Sequence, residues 1–299
     1  MTTHSSHPLW SGFAFAMIAS LGLGLAIPVA RLAFEGGTNG LSVSFARAVV
    51  GSGMLGIWCL MLGKRLTVSW RHWLHLVGLG VLLAHMNYGN IGAVAYIPVT
   101  VGALLFFAYP PMAVILAAVI DRRWPGTLRS IAVIGAFIGL AIMLGVGSVD
   151  GEDLDIRGIA IALSAALACA LNITWISRTL AGTDALVNIF HMSVVAAVTL
   201  GLLTTATGEL ALPVTNMGWY GAIAVVLLQA LGLPFFYAAV DRIGPERAGV
   251  TNNLQPVTSI AAAYLLFAES LTPERWAGAI LVIGGIVLMQ WASIRERRR

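Results

Sequence analysis

Charged residues are scarce in this chain. Only 10% of its 299 residues are Asp, Glu, Lys or Arg, while 59% are hydrophobic and mean hydropathy is +0.88. That leaves too little polar surface to cover a soluble domain and indicates a polytopic membrane protein. Cysteine is nearly absent as well. Cys59 and Cys169 both fall inside apolar runs, where a disulfide framework has no role, so they read as small packing residues. The formal charge is +4, but the basic residues are scattered through short loops and form no stripe, which sets nucleic acid aside as a partner. No Lys or Arg stands in MTTHSSHPLW ahead of the first apolar run, and that run has the length of a full crossing. It is read as a retained helix, not a cleaved signal.

What the chain does have is apolar length. At about 20 residues per crossing it divides into ten spans, roughly 10–31, 41–62, 73–95, 98–120, 128–147, 157–179, 185–206, 218–240, 245–267 and 274–293. With the N-terminus inside, thirteen Lys and Arg fall in inner loops and three in outer ones, and Arg47 stays within a span. The positive-inside bias then puts both termini in the cytoplasm of a cell (inner) membrane. Seven of the nine tryptophans lie at span ends, where an indole bridges lipid and water.

Two spans are interrupted. The ninth opens on Pro245, carries Pro256 in its middle and ends at Glu269; around the break stand Thr251, Asn252, Asn253, Gln255, Thr258 and Ser259. A proline inside a helix removes a donor and leaves the Asn252 carbonyl without its partner, which hydrocarbon tolerates only beside protein or a watery cavity. The fourth span repeats this plan with Pro98 at its start and Pro110 and Pro111 in its middle. Pro110, Pro111 and Pro256 are therefore the expected hinges, and the ninth span is expected to line a cavity.

The halves themselves repeat. Gly12-Phe-Ala-Phe-Ala matches Gly158-Ile-Ala-Ile-Ala, Trp73 matches Trp219, Pro98 matches Pro245 and Val133-Ile-Gly-Ala matches Val282-Ile-Gly-Gly, at offsets of 146 to 149. Five spans per copy is an odd number, so the second copy enters from the opposite side. The expected fold class is an all-α integral membrane protein of ten transmembrane helices in two inverted five-helix repeats. Its expected divisions are 1–147 for the first repeat, 148–156 for an acidic external linker, 157–294 for the second repeat and 295–299 for a basic cytoplasmic tail.

The proline-broken fourth helix of each half, the charged turn after it and the glycine-rich fifth helix resemble the EamA branch of the drug/metabolite transporter superfamily. The second half carries the likeness best, through Pro256, Glu269-Ser-Leu-Thr-Pro273 and Gly278 to Gly285. The first half departs from it with Asp121-Arg-Arg-Trp-Pro125, where the family often has a Glu. The resemblance implies that the third, fourth, eighth and ninth helices surround a central cavity, and that the protein exports amino acids or other small metabolites. The aromatic and neutral amino acid exporters are the most similar members.

No acidic residue lies in the middle of a span, so the carboxylate relay of many proton-driven pumps has no candidate. Arg47, His85 and His191 are the titratable groups within hydrocarbon reach. A facilitator or exchanger is expected, with histidine-coupled efflux through His85 as the alternative. Carriers of nucleotide sugars or phosphorylated metabolites need more cavity cations than these. His85 and His191 are 106 residues apart with no metal-ligand spacing, so no metal, no cofactor and no enzymatic activity are expected.

His85 and Tyr88 share a helical face and are expected on the cavity. Arg47 and His191 match at an offset of 144 and are placed near opposite mouths, where they either attract a substrate carboxylate or simply snorkel and pack. Gln229, Tyr109, Tyr237, Trp175, Asn252 and Gln255 complete the candidate substrate-binding set. For Trp175 a role as membrane anchor is the stronger reading. Gly135, Gly139, Gly278, Gly284 and Gly285 allow close helix contact. The expected partners are a small solute and the lipid bilayer, with a monomer as the expected unit.

Overall fold

The computed structural model describes residues 9–144, 154–180 and 182–297. Residues 148–153 of the expected 148–156 linker, part of the basic tail and the first eight residues lie outside them. Among the described residues the chain is entirely helical. The helices are α1 (Leu9–Glu35), α2 (Gly40–Met61), α3 (Trp70–Gly92), α4 (Val99–Phe106), α5 (Tyr109–Asp121), α6 (Thr127–Met143), α7 (Ile156–Thr179), α8 (Ala185–Thr207), α9 (Asn216–Asn252), α10 (Leu254–Phe267) and α11 (Pro273–Arg297). Several starts are set by side chains that accept from first-turn N–H groups: Asn39, Ser69, Asp155, Asp184 and Thr215.

Seven helical stretches are long and apolar enough to cross a membrane. The other three expected crossings are irregular for identifiable reasons. The third, α3, carries Arg71, three histidines and two asparagines; the fifth, α6, has 17 residues; the ninth is cut in two. Large apolar side chains remain exposed along the bundle, including Leu60 at 66%, Leu202 at 66% and Leu265 at 79%. Apolar exposure of that extent suits a lipid solvent.

The sequence places the eighth and ninth spans apart, and the structure joins them with almost no loop. Helical structure runs from Asn216 to Asn252 with one interruption at Gly244, where φ is 82° and ψ 158°. Only glycine takes that conformation without strain. The helix then restarts at Pro245, whose missing N–H is harmless at a first helical position.

The prolines expected in helix interiors stand instead at helix starts. Phe107 and Ala108 separate α4 from α5, and Pro110 and Pro111 lie in the first turn of α5. Asn253 separates α9 from α10, and Pro256 is the third residue of α10. First-turn N–H groups have no intrahelical partner in any case, so each break is placed where proline costs least.

Packing follows the repeat. The principal interfaces are α1 with α9, α3 with α7, α2 with α8, α6 with α11 and α4 with α10. Exchanging the halves converts the first pair into the second and maps α2 with α8 and α6 with α11 each onto itself, whereas the counterpart of α4 with α10 is α5 with the end of α9. All eight residues of α4 are buried, so this helix, apolar all round, is the centre of the molecule. Its neighbours on α5, α6, α7 and α11 form the largest core cluster.

Candidate functional site

At the start of α4, the backbone N–H groups of Val99 and Thr100 point out of the helix and need acceptors. Glu269, just past the end of α10, supplies them. Its Oε1 accepts from Val99 N at 3.0 Å, and its Oε2 accepts from Thr100 N at 3.2 Å and Thr100 Oγ1 at 3.1 Å. Arg31 at the end of α1 donates from Nη1 to Glu269 Oε1 at 2.6 Å and from Nε to Glu35 at 3.1 Å. One carboxylate thus ties α1, α4 and α10 together, with only 13% of its side chain exposed. A negative charge also complements the positive end of the α4 dipole.

The opposite mouth holds the repeat-related pair. Arg178, 147 residues after Arg31, binds Asp121, 148 residues before Glu269. The bonds are Nη1 to Oδ1 at 2.7 Å and Nη2 to Oδ2 at 3.1 Å, with the Asp121 side chain 50% exposed. A recess of about 930 Å³ opens beside Asp121, Arg129 and Arg178, against about 480 Å³ beside Arg31, Tyr96 and Pro98. The halves of the broken helices at the Glu269 mouth differ from those at the Asp121 mouth in the same sense. α4 packs on α10, whereas among the described residues no comparable interface joins α5 to α9.

The candidate side chains gather in several places, not one. Gln229 Nε2 donates to Asn87 Oδ1 at 3.3 Å, and Ser44 Oγ donates to the Asn87 carbonyl at 3.2 Å. That junction of α2, α3 and α9 is one helical turn from Arg47. Arg47 is 6% exposed, with Nε and Nη1 buried and unpartnered; it does not snorkel. His191, its repeat counterpart, is held by the Leu66 carbonyl at 2.7 Å, the packing role left open above.

His85 is exposed, with Nε2 3.0 Å from Ser164 Oγ on α7. Tyr88 packs with the α2 and α8 apolar cluster and lies over Gly92. Tyr109 stands 5.8 Å from both Phe106 and Phe107, centroid to centroid, within the apolar core. Trp175, 36% exposed, covers Gly78 and donates to His75 Nδ1 at 3.2 Å. The Tyr237 side chain falls outside the described residues.

The polar residues around the ninth-span break are engaged partly within the span, where Thr251 and Thr258 donate to the Arg247 and Leu254 carbonyls, and partly by neighbouring helices. Gln255 Nε2 donates to Asn252 Oδ1. Asn253 donates to Gln290 of α11 at 2.8 Å, and buried Ser259 donates to the Gly24 carbonyl of α1 at 2.6 Å. Ser20 of α1 lies 3.1 Å from the Thr251 carbonyl. Part of the polarity that suggested a cavity wall, Asn253 and Ser259, therefore braces the break against α11 and α1.

Sequence reasoning used Arg31, Arg178, Asp121 and Glu269 only for topology and motif matching. Their spacings of 147 and 148 residues lie within the repeat offset, and that coincidence was the available signal.

Residues 10–145 and 156–291 each match the EamA-like transporter family. Among curated proteins, the chain is 36% identical over 76 residues to Protein RarD of Streptomyces exfoliatus, covering 25% of this chain and 24% of that protein. It is 25% identical over 203 residues to the uncharacterized inner membrane transporter YicL of Salmonella typhimurium, covering 65% of each. The chain thus spans less than two thirds of either relative's length in these matches. A solved crystal structure shares the fold at 19% identity and a TM-score of 0.61, covering 95% of this chain and 98% of the other.

Proposed function

This chain belongs to the EamA-like transporter family, and on that premise we propose that it exports small organic metabolites, neutral and aromatic amino acids first among them, by alternating access. In this reading it is a multi-pass inner-membrane carrier with ten crossings in two inverted repeats, 1–147 and 157–294, joined by the 148–156 linker. Both termini are cytoplasmic, and the expected unit is a monomer.

The observation that carries the proposal is the unequal closure of two repeat-related mouths. Glu269 is largely enclosed against α4 at one, and Asp121 stands half exposed at the other. With cytoplasmic termini the latched mouth is the outer one, so this conformation faces inward. In the outward-facing state the Asp121 end closes and the Glu269 end opens, with the halves pivoting at Pro110, Pro111 and Pro256.

The absence of acid from the span interiors supports a facilitator or exchanger. Exposed His85 is the group through which proton coupling would run instead. Uptake of radiolabelled amino acids into proteoliposomes, with and without a pH gradient and beside His85→Ala, tests both. Saturable uptake indifferent to the gradient is expected. Gradient-driven uptake lost in His85→Ala would assign coupling to that residue, and no amino acid uptake would refute the substrate class.

A further inference from the structure

We infer that Arg47 and Gln229 form a buried subsite that binds the carboxylate and adjoining ammonium of the transported solute. The inference rests on the carrier reading above and adds the solute's head-group chemistry.

Arg47 and Gln229 are 6% and 8% exposed, and each keeps buried polar atoms without a partner: Nε and Nη1 of the guanidinium and Oε1 of the amide. The helices that carry them, α2 and α9, pack on each other and share one junction. Gln229 is fixed there through Nε2 on Asn87, and Ser44, one turn before Arg47, is fixed there through the Asn87 carbonyl. A long helical side chain leans over the turn N-terminal to its own Cα, which directs Arg47 toward Ser44 and Asn87. One turn further along α2, Gly51 is buried, yet a methyl group built on it would meet no atom within 4 Å. The interior is open beside the arginine.

A buried cation without a counter-charge is costly in hydrocarbon. The protein has none to offer, since every Asp and Glu lies in a loop or at a helix end. An incoming anion supplies it. The guanidinium fork matches a carboxylate in two parallel hydrogen bonds, and a single guanidinium balances a monoanion where a phosphate dianion would need more. Gln229 Oε1 is an acceptor awaiting a donor, which an ammonium beside the carboxylate provides.

The test uses the purified full-length chain and three probes: L-phenylalanine, its methyl ester, which lacks the carboxylate, and 3-phenylpropionate, which lacks the ammonium. Thermal unfolding and proteoliposome transport are read for wild type, Arg47→Met, Arg47→Lys and Gln229→Leu. Phenylalanine is expected to raise the wild-type Tm most, phenylpropionate less and the ester not at all. Arg47→Met should unfold at a higher temperature than wild type without ligand, because a buried unpaired charge is gone, and should bind both acids about 10- to 100-fold more weakly. Arg47→Lys should recover part of the loss. Gln229→Leu should bind phenylalanine no better than phenylpropionate.

Each of these results overturns the subsite: an acid-dependent Tm rise of wild-type strength in Arg47→Met, an ester bound as well as the acid, or a wild type stabilised by neither acid. Amino acid transport unchanged in Arg47→Met removes the subsite and leaves the carrier reading intact. Arg47-dependent binding of phenylpropionate, with no amino acid transported, keeps the subsite and removes the amino acid assignment.

Discussion

Replacing Glu269 with alanine should unlatch the mouth at which α4 meets α10. The side chain accepts three hydrogen bonds from Val99 and Thr100 and pairs with Arg31. Loss of a helix cap costs about 0.5–2 kcal/mol, and a hydrogen bond to a charged group about 1.5–3 kcal/mol. These losses share one carboxylate and do not add, so the latched state should lose about 2–4 kcal/mol relative to the open one. At 1.4 kcal/mol per decade that is about a 30- to 700-fold rise in the opening constant. Ala263 lies at 0% exposure in the seam, clustered with Val99 and Ala103, and becomes reachable only when α10 leaves α4. With Cys59 and Cys169 replaced by alanine, an Ala263→Cys reporter labelled by a water-soluble thiol reagent measures the opening. Labelling should accelerate by that factor in Glu269→Ala and by less in Glu269→Gln. Asp121→Asn should not accelerate it. An unchanged rate in Glu269→Ala would refute the latch, and so would equal acceleration by Asp121→Asn.

Other outcomes follow from the same geometry. Gly24→Ala puts a methyl group 2.8 Å from the Gln255 carbonyl oxygen and Thr258 Cβ, so it should force α1 off α10 and destabilise by about 1–3 kcal/mol, read as a lower Tm. Gly278→Leu should likewise part α6 from α11, because even a Cβ there lies 2.6 Å from the Gly139 carbonyl oxygen; a Tm equal to wild type would show that this seam gives way freely. Lys64, bonded to Asp184 at 2.6 Å, together with the Val187 and Leu186 N–H groups, holds the Asp184 carboxyl below the usual range. A depressed folded pKa means the stabilisation is present above the unfolded value of about 3.9 and lost as pH falls through the folded one. The Tm gap between wild type and Asp184→Ala should therefore be constant from about pH 8 to 5 and shrink below about pH 4. Pro256→Ala restores an N–H that lets α9 continue into α10, and it should slow transport per folded molecule while leaving expression near wild type; equal turnover would argue against a hinge.

Sequence alone determined the solvent and the plan. Apolar length, scarce charge and the 146-to-149-residue repeat follow from transfer free energy and chain order, and no tertiary contact is needed to read them. The paired prolines were legible for the same reason, since a missing N–H is a local property. Their placement was not. Whether Pro256 sits inside a helix or at the start of one depends on where the chain breaks, and the break falls at Asn253, held by Gln290 of α11, between Thr251 and Ser259, which bond to Ser20 and Gly24 of α1. The polar residues near the break looked like a cavity wall because spacing along one helix does not reveal which neighbour consumes a hydrogen bond. Only tertiary structure decided that Arg47 is buried and unpaired while His191, its repeat counterpart, is held by a loop carbonyl. It also decided that Glu269 is enclosed against α4 while Asp121 stands half exposed. The two halves share one plan, and the difference between them is settled by packing between them, a long-range property that no local stretch of the chain carries.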